Sequence, residues 1–272
     1  MKYLELTLLA LLGCLALGIL ATRLLRKACG HPKSLAARII TTLLCSSLVL
    51  VGAGALYLGN YYHANDDALA ALEGDDTVSV TSTGNILRFD GPGQQTALLF
   101  MPGAKVEARA YAPLMLLVAR GGVDCFVVSP PANMAFLGEN MMEECLRENQ
   151  YGHWILGGHS LGGLVAASYV SSHPQQADGL VLLASYAPGP IDQSIAVCSV
   201  YGSEDGVLNR ELYAEAQSRL PQGHAEVCLE GGNHAYFGSY GPQRGDGKAT
   251  LTPAQQQEQT AQAILGLAGQ LS

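Results

Sequence analysis

The sequence predicts a doubly wound α/β domain with a mostly parallel sheet, preceded by a two-helix transmembrane anchor. Beyond residue 77, continuous apolar runs of strand length alternate with segments of helical spacing. Apolar strands of this kind are typical of a parallel sheet that is covered by helices on both faces. The anchor is predicted because two long apolar segments occupy most of residues 1–59.

The composition excludes one class of partner. Apolar residues make up 49% of the 272 residues and charged residues only 14%, and the apolar excess is concentrated at the N-terminus. The formal net charge is −8, and basic residues cluster only over residues 23–38. We therefore do not expect a nucleic-acid partner. The oligomeric state cannot be inferred from the sequence.

The predicted anchor consists of apolar segments over about residues 4–21 and 39–58. The loop between them contains no acidic residue and five basic ones, which are Arg23, Arg26, Lys27, Lys33 and Arg38. Each segment is long enough to cross a bilayer core of ~30 Å. The positive-inside rule places the basic loop in the cytoplasm and both chain ends on the opposite side. A cleaved signal peptide in place of the first segment is an alternative, in which the second segment still anchors the product.

These observations predict a multi-pass protein of the cell membrane. Residues 1–59 form the transmembrane hairpin, residues 60–76 a polar, alanine-containing linker, and residues 77–272 the α/β domain on the extracytoplasmic side. Four cysteines lie in this outward domain, where disulfides can form: Cys125, Cys145, Cys198 and Cys228. None has metal-ligand spacing, so we expect no metal site. Cys198 and Cys228 fall on strands that we expect to be neighbours, and both a disulfide and free thiols are compatible with the sequence.

The elements of the α/β domain follow from apolar runs and from glycine and proline stops. The predicted strands cover residues 77–82, 85–90, 96–101, 124–129, the run from His153 to the serine turn, 179–184, 194–201 and 225–229. The predicted helices cover residues 106–120, 135–148, the segment after Ser160 to about 172, 208–220 and 253–267.

The motif Gly158-x-Ser160-x-Gly162 lies where an apolar run passes into helical spacing. This is the context of a nucleophile elbow, in which a serine is held on a sharp turn between strand and helix. Glycines suit the neighbouring positions because the turn is strained and has little space for a Cβ atom. The pattern alone is equally typical of a glycine-rich turn with a helix-capping serine, so the rest of the chain must decide.

Three reactive side chains follow predicted strands, in the order Ser160, Asp205, His234. Reactive groups collect at the carboxyl ends of strands in open α/β sheets. A serine hydroxyl becomes a nucleophile when an imidazole accepts its proton, and a carboxylate fixes the tautomer of that imidazole. The alternatives are a helix cap for Asp205, with Glu204 as the second candidate acid, and a surface position for His234.

The negative charge that develops on an attacked carbonyl needs preorganised N–H donors. The N–H of Leu161, directly after the nucleophile, is one predicted donor. The second should come from the loop after Met101, from Ala104 or Gly103. His159 is expected to point away from Ser160 and to be packed or solvent-facing.

Six stretches of the chain together resemble a known family: MPGAKV (101–106), YAPL (111–114), GHSLGG (158–163), LLASY (182–186), YGSEDG (201–206) and GNHAYFG (232–238). They resemble the α/β-hydrolase superfamily, in particular the compact alpha/beta hydrolase fold family 5, which is related to dienelactone hydrolases. The resemblance covers about residues 77–270. Dienelactone hydrolases use cysteine as the nucleophile where this chain has Ser160, and the family's proline-glycine-glycine turn ends here in Ala104.

The resemblance implies an α/β-hydrolase fold and a serine hydrolase with Ser160, Asp205 and His234 as its triad and without a metal or organic cofactor. Many members carry a lid domain between the sixth and seventh strands, but residues 186–193 are too few for one. We therefore expect an open site with Tyr186, Tyr236 or Phe237 near its mouth.

The function expected from these observations is that of a membrane-anchored serine hydrolase. It would cleave carboxylic esters through an acyl-enzyme intermediate, and peptidase or thioesterase activity stays open. The expected substrate is a small-molecule or lipid-like ester, and the N-terminal helices provide the contact with the membrane. The alternative is a non-catalytic ligand- or protein-binding domain that retains the fold, because a fold does not guarantee a function.

Overall fold

The computed structural model describes residues 13–24, 27 and 34–271. The chain divides into two units, Met1–Asn60 and Tyr61–Ser272. The first unit contains the helices α1 (Gly13–Leu24) and α2 (Leu35–Gly59). The side chain of Ser34 caps α2 by accepting a hydrogen bond from the Ala37 N–H.

Helix α2 is the one helix in the described part of the chain that is long and apolar enough to cross a membrane. It has 25 residues, and its most apolar window has a mean hydropathy of 2.2 and is 6% buried. Part of the first predicted span, residues 4–21, lies outside the described residues. The described part of that span lies in the apolar helix α1. The two-helix anchor is thus not confirmed, and one candidate span is found.

The second unit is built on an eight-stranded sheet with the order β1-β2-β4-β3-β5-β6-β7-β8. Its strands are β1 (Ser79–Thr83), β2 (Ile86–Asp90), β3 (Thr96–Met101), β4 (Asp124–Val128), β5 (His153–His159), β6 (Gly179–Leu183), β7 (Ala196–Gly202) and β8 (Ala225–Leu229). Strand β2 pairs antiparallel with β1 and β4, and all the other pairs are parallel. The predicted mostly parallel sheet is therefore confirmed.

Helices cover both faces of this sheet. They are α3 (Asp66–Ala71), α4 (Ala112–Arg120), α5 (Glu139–Glu148), α6 (Leu161–Ser172), α7 (Arg210–Ala216) and α8 (Pro253–Ala268). On β3, Leu98 and Phe100 point into the core that α4 and α8 share, whereas Leu99 points into the core with α5 and α6. Burial on both faces explains why the strand reads as a continuous apolar run.

Three predicted helices are shorter than expected. Residues 106–120 contain a 3-10 turn, Ala108–Tyr111, before α4, and residues 135–148 contain a 3-10 turn, Ala135–Leu137, before α5. Helix α7 begins at Arg210 and passes into a 3-10 turn after Ala216. Helix ends often tighten into 3-10 turns of this kind, and apolar periodicity does not distinguish the two.

Residues 60–76 are not the linker that the sequence predicts. Tyr62 pairs with Val106: its N–H donates to the Lys105 carbonyl at 2.7 Å, and its carbonyl accepts from the Glu107 N–H at 3.0 Å. The segment continues into α3, which the Asn65 side chain caps. Small apolar residues, among them the fully buried Ala68, pack this helix on the domain. The alanine content therefore reflects packing.

The connection from β6 to β7 is short. In the described chain, residues 184–195 contain neither helix nor strand, so no lid domain is inserted there. Strands β7 and β8 are neighbours, as expected, but Cys198 is opposite Ala225 and Cys228 is opposite Tyr201. Both thiols are free, because the strand register separates them.

Candidate active site

Ser160 lies between β5 and α6 in a backbone conformation that is rare for a residue with a Cβ, with φ 52° and ψ −121°. Its side chain makes no helix-capping hydrogen bond, so the capping alternative does not hold. A Cβ atom at Gly162 would overlap the carbonyl oxygens of Met101 and Pro102. At Gly158 it would overlap the Gly162 backbone. The two glycines therefore permit the strained turn that exposes the serine.

Asp205 and His234 form a buried pair at the ends of β7 and β8. The Asp205 Oδ2 and His234 Nδ1 atoms are 2.8 Å apart, and the two side chains are 0% and 2% exposed. The other carboxylate oxygen accepts from the N–H groups of Val207 and Leu208, each at 2.8 Å. Asp205 thus makes a turn-capping contact and binds the imidazole at once. Glu204 is exposed and does neither.

The hydrogen bonds keep Asp205 ionised. Burial acts to raise the pKa of its carboxyl group. The hydrogen bond and charge of His234, with the N–H groups of Leu208 and Val207, outweigh burial and hold the pKa below its usual range. A carboxylate at this place orients the imidazole so that Nε2 is the atom available as a base.

His234 lies beside the serine turn without a hydrogen bond to it. Its ring centroid is 4.5 Å from that of His159, the residue before Ser160. The His234 Nε2 atom is buried and has no hydrogen-bond partner among the described residues. It therefore makes no hydrogen bond to Ser160 Oγ, and such bonds are often long or poorly aligned before a substrate binds.

The loop of residues 102–105, called the oxyanion loop below, is held against the start of α6. The Gly103 N–H donates to the Tyr111 hydroxyl at 2.9 Å, so this N–H is already in use and Ala104 is favoured over Gly103 as the second donor. The N–H groups of Ala104 and Leu161 have no hydrogen-bond partner in the described chain. Leu161 is also the first residue of α6, where the helix dipole favours negative charge.

His159 is packed beneath the site. It is 1% exposed, and its Nδ1 atom is 2.8 Å from the Tyr111 hydroxyl. Phe237 is fully buried, with its ring centroid 5.6 Å from that of His159. The expectation that Phe237 lies near the mouth is therefore wrong, because it forms part of the floor. Tyr186 and Tyr236 are half-buried.

The sequence did not identify two residues that hold the histidine loop. Asp246 accepts hydrogen bonds from the N–H groups of Gly206, His234 and Ala235, at 3.2, 3.1 and 2.8 Å. Gln256, fully buried on α8, both donates to and accepts from the Asn233 backbone. Helical spacing from Ile264 places Thr260 and Gln256 on the buried face, which is the one signal that the sequence offers.

The family follows from comparison with known proteins. A family model described as "Alpha/beta hydrolase family" matches residues 97–258, more than half of the chain. The chain belongs to the alpha/beta hydrolase family. The resemblance inferred from the six sequence stretches is confirmed, and family membership supports a hydrolase in general terms. No curated protein was found to match the sequence.

Solved structures of this fold are similar at low sequence identity. The mouse alpha/beta hydrolase domain-containing protein 10 superposes with a TM-score of 0.54 at 12% identity, covering 72% of this chain and 100% of its own. TT1662 from Thermus thermophilus superposes with a TM-score of 0.51 at 15% identity, covering 71% of this chain and 98% of its own. A soluble variant of the monoglyceride lipase from Saccharomyces cerevisiae superposes with a TM-score of 0.52 at 9% identity, covering 74% of this chain and 97% of its own. At these identities the likeness shows the fold alone.

Proposed function

We propose that this α/β-hydrolase is a membrane-anchored serine hydrolase that cleaves carboxylic esters through an acyl-enzyme intermediate. The buried Asp205–His234 pair carries the proposal, because it is anchored by hydrogen bonds directly beside a serine on a strained turn. A buried carboxylate–imidazole pair beside a serine requires three converging loops, and a domain that only binds a ligand does not need this arrangement.

The residues suggest a two-step reaction. The Ser160 Oγ attacks the ester carbonyl while its proton passes to His234 Nε2, and Asp205 stabilises the resulting imidazolium through Nδ1. The proton then leaves with the alcohol as the C–O bond of the ester breaks, which produces the acyl-enzyme. A water molecule then attacks the acyl-enzyme carbonyl and gives a proton to Nε2. That proton passes to the Ser160 Oγ as the acyl C–O bond breaks, which releases the carboxylic acid and free Ser160.

Two backbone groups would stabilise the tetrahedral intermediate. In this proposal the N–H of Leu161 and the N–H of Ala104 donate to the oxygen that becomes negative. A Cβ at Gly162 would overlap the carbonyl oxygens of Met101 and Pro102, so the oxyanion loop runs directly over the start of α6. This closeness supports a shared role for the two N–H groups. Donors fixed before the reaction contribute most to such catalysis.

The proposed substrate is a small-molecule or lipid-like ester. No element is inserted between β6 and β7 in the described chain, which favours an open site. The 3-10 turn Ala135–Leu137 packs near α6, and its Phe136 and Leu137 side chains are 55% and 48% exposed. Exposed apolar side chains beside the helix that follows Ser160 favour an ester with an apolar part.

The proposed location is the cell membrane, with the hydrolase unit on the extracytoplasmic side. Helix α2 has the length and hydropathy of a span. The basic residues that precede it favour a cytoplasmic N-terminal side of α2. In this proposal the apolar segment of residues 4–21 completes a multi-pass anchor.

Labelling of the nucleophile tests the function directly. The full-length chain in detergent is treated with a fluorophosphonate, and the labelled residue is found by mass spectrometry. We expect the label on Ser160, no label in Ser160→Ala, and unchanged labelling in Ser194→Ala, an exposed serine in a turn. Absence of label from a folded wild-type protein would favour the non-catalytic binding domain, and the search would turn to ligands.

A further inference from the structure

Two buried polar side chains below the triad take no part in the reaction steps described above. Tyr111 is 0% exposed and His159 1%. Their surroundings are largely apolar: the Phe100 ring is 5.0 Å from that of Tyr111, and the Phe237 ring is 5.6 Å from that of His159. Buried polar groups lower stability unless they are hydrogen-bonded. Their presence here points to a function that apolar side chains would not serve.

We propose that Tyr111 and His159 are positioning residues that hold the oxyanion loop and the catalytic base in fixed relation to each other. The proposal rests on the serine-hydrolase function, because it assigns both residues a part in that reaction. Each acts through a neighbouring group and does not touch the substrate.

The first link joins Tyr111 to the oxyanion loop. Gly103 is the residue of this loop with the greatest backbone freedom, since it has no Cβ. Its N–H donates to the Tyr111 hydroxyl at 2.9 Å. This bond limits the backbone torsions of Gly103 and therefore the direction of the next N–H, that of Ala104.

The second link joins Tyr111 to His159. Tyr111 Oη and His159 Nδ1 are 2.8 Å apart. The tyrosine oxygen accepts from Gly103, and in this proposal its single proton is donated to Nδ1. His159 then carries its own proton on Nε2. Burial and the nearby His234 lower the pKa of His159 well below its ordinary value, which keeps the ring neutral, with one proton on one of its two nitrogens.

The third link joins His159 to the base. The two histidine rings are 4.5 Å apart and inclined by 49°. Asp205 fixes one edge of the His234 ring through Nδ1, and the His159 ring supports another side of it. A neutral ring suits this place, because a second positive charge would oppose the imidazolium that forms on His234.

Removal of the tyrosine hydroxyl tests the first two links. We measure hydrolysis of p-nitrophenyl acetate by the full-length chain in detergent. Tyr111→Phe should lower kcat about 10- to 100-fold with little change in KM, less than the 10²–10³ that follows loss of an oxyanion donor. Tyr213→Phe, which removes a buried hydroxyl bonded to Ser199 and Glu226, should behave as the wild type. An unchanged kcat in folded Tyr111→Phe would overturn the proposal.

Two replacements of His159 separate positioning from packing. His159→Asn keeps an acceptor near the position of Nδ1, whereas His159→Leu fills the space without one. We expect His159→Asn to retain a clearly higher kcat than His159→Leu. Equal losses in the two variants would mean that His159 acts by packing alone and would overturn the proposal.

A measurement without turnover separates this inference from the proposed function. Nitrogen-15 NMR of histidine-labelled protein, assigned with His159→Asn, should show the Nε2–H tautomer at His159 and a change of tautomer in Tyr111→Phe. A wild type that is inactive and does not react with the fluorophosphonate, but has the Nε2–H tautomer, would overturn the hydrolase function. The hydrogen bonds from Gly103 through Tyr111 to His159 would still stand. An active wild type with the Nδ1–H tautomer would overturn this inference alone.

Discussion

At the scale of single residues, the geometry of the serine turn depends on the absence of side chains around it. Ser160 has a positive φ, and this conformation is stored strain that the surrounding structure must hold. Two hydrogen bonds hold it in place. The Ser160 N–H donates to the Leu183 carbonyl at 2.9 Å, and the Ser185 hydroxyl donates to the Ser160 carbonyl at 2.8 Å. The glycines provide the space and the neighbouring strand provides the support.

A matched pair of glycine substitutions tests this reading. Gly162→Ala should lower the free energy of unfolding by about 1–3 kcal/mol, because its Cβ would overlap backbone that cannot move freely. Gly266→Ala, at an open position on α8, should raise it by about 0.5–1 kcal/mol. Denaturant unfolding followed by the fluorescence of Trp154, the one tryptophan of the sequence, measures both. Equal effects would contradict the steric argument.

The stability of the domain should depend on pH through His159. The folded pKa of this residue lies well below 6.5 because of burial and the nearby His234, whereas in the unfolded chain it is about 6.5. Below pH 6.5 the unfolded state therefore binds a proton that the folded state does not. The free energy of unfolding should therefore decrease as the pH is lowered below about 6.5, by up to about 1.4 kcal/mol per pH unit from this residue.

Unfolding at pH 7.5 and pH 5.5 checks the sign and the source of this effect. The difference between the two pH values should be smaller in His159→Gln than in the wild type, since the remaining histidines contribute to both proteins alike. A difference of the same size in the two proteins would show that His159 is not the group responsible.

At the scale of elements, the site is assembled from loops that follow separate strands, and hydrogen bonds between these loops fix it. Asp246 joins the loop that carries Asp205 to the loop that carries His234. Gln256 fastens the second of these loops to α8. The relative position of Asp205 and His234 therefore depends on Asp246 and Gln256, which lie outside β7 and β8.

Loss of the Asp246 carboxylate should affect both stability and catalysis. In Asp246→Ala the N–H groups of His234 and Ala235 lose their acceptor, which should lower the free energy of unfolding by about 1–3 kcal/mol. Displacement of His234 should lower kcat by on the order of tenfold or more. Asp192→Ala, which removes an exposed carboxylate bonded only to Ser194, is the control and should change neither.

The strands could be predicted from the sequence because both faces of the sheet are buried, which makes β3 and β6 continuous apolar runs. The triad candidates could be predicted because each follows such a run. The contact between Tyr111 and His159 could not, because it depends on the pairing of β3 with β5. Asp246 could not either, since its partners are backbone N–H groups that leave no trace in the sequence pattern.

At the scale of the whole molecule, the proposed orientation can be read from a native side chain. Cys228 is exposed on β8, whereas Cys125, Cys145 and Cys198 are buried. A membrane-impermeant maleimide applied to intact cells at mildly alkaline pH should label the wild type and label Cys228→Ser much less. Labelling of Cys228 that requires cell lysis would place the hydrolase unit in the cytoplasm and overturn the orientation.

The pairing of Tyr62 with Val106 has a practical consequence for anyone who wishes to separate the hydrolase unit from its apolar N-terminus. The predicted linker suggests a cut anywhere over residues 60–76. Yet Tyr62 binds the carbonyl of Lys105, the neighbour of Ala104, so a fragment that begins after Asn65 should fold with an unsupported oxyanion loop and hydrolyse esters slowly. A fragment that begins at residue 61 keeps this support. Under the proposed function, the choice of the first residue thus decides whether the fragment is active or only folded.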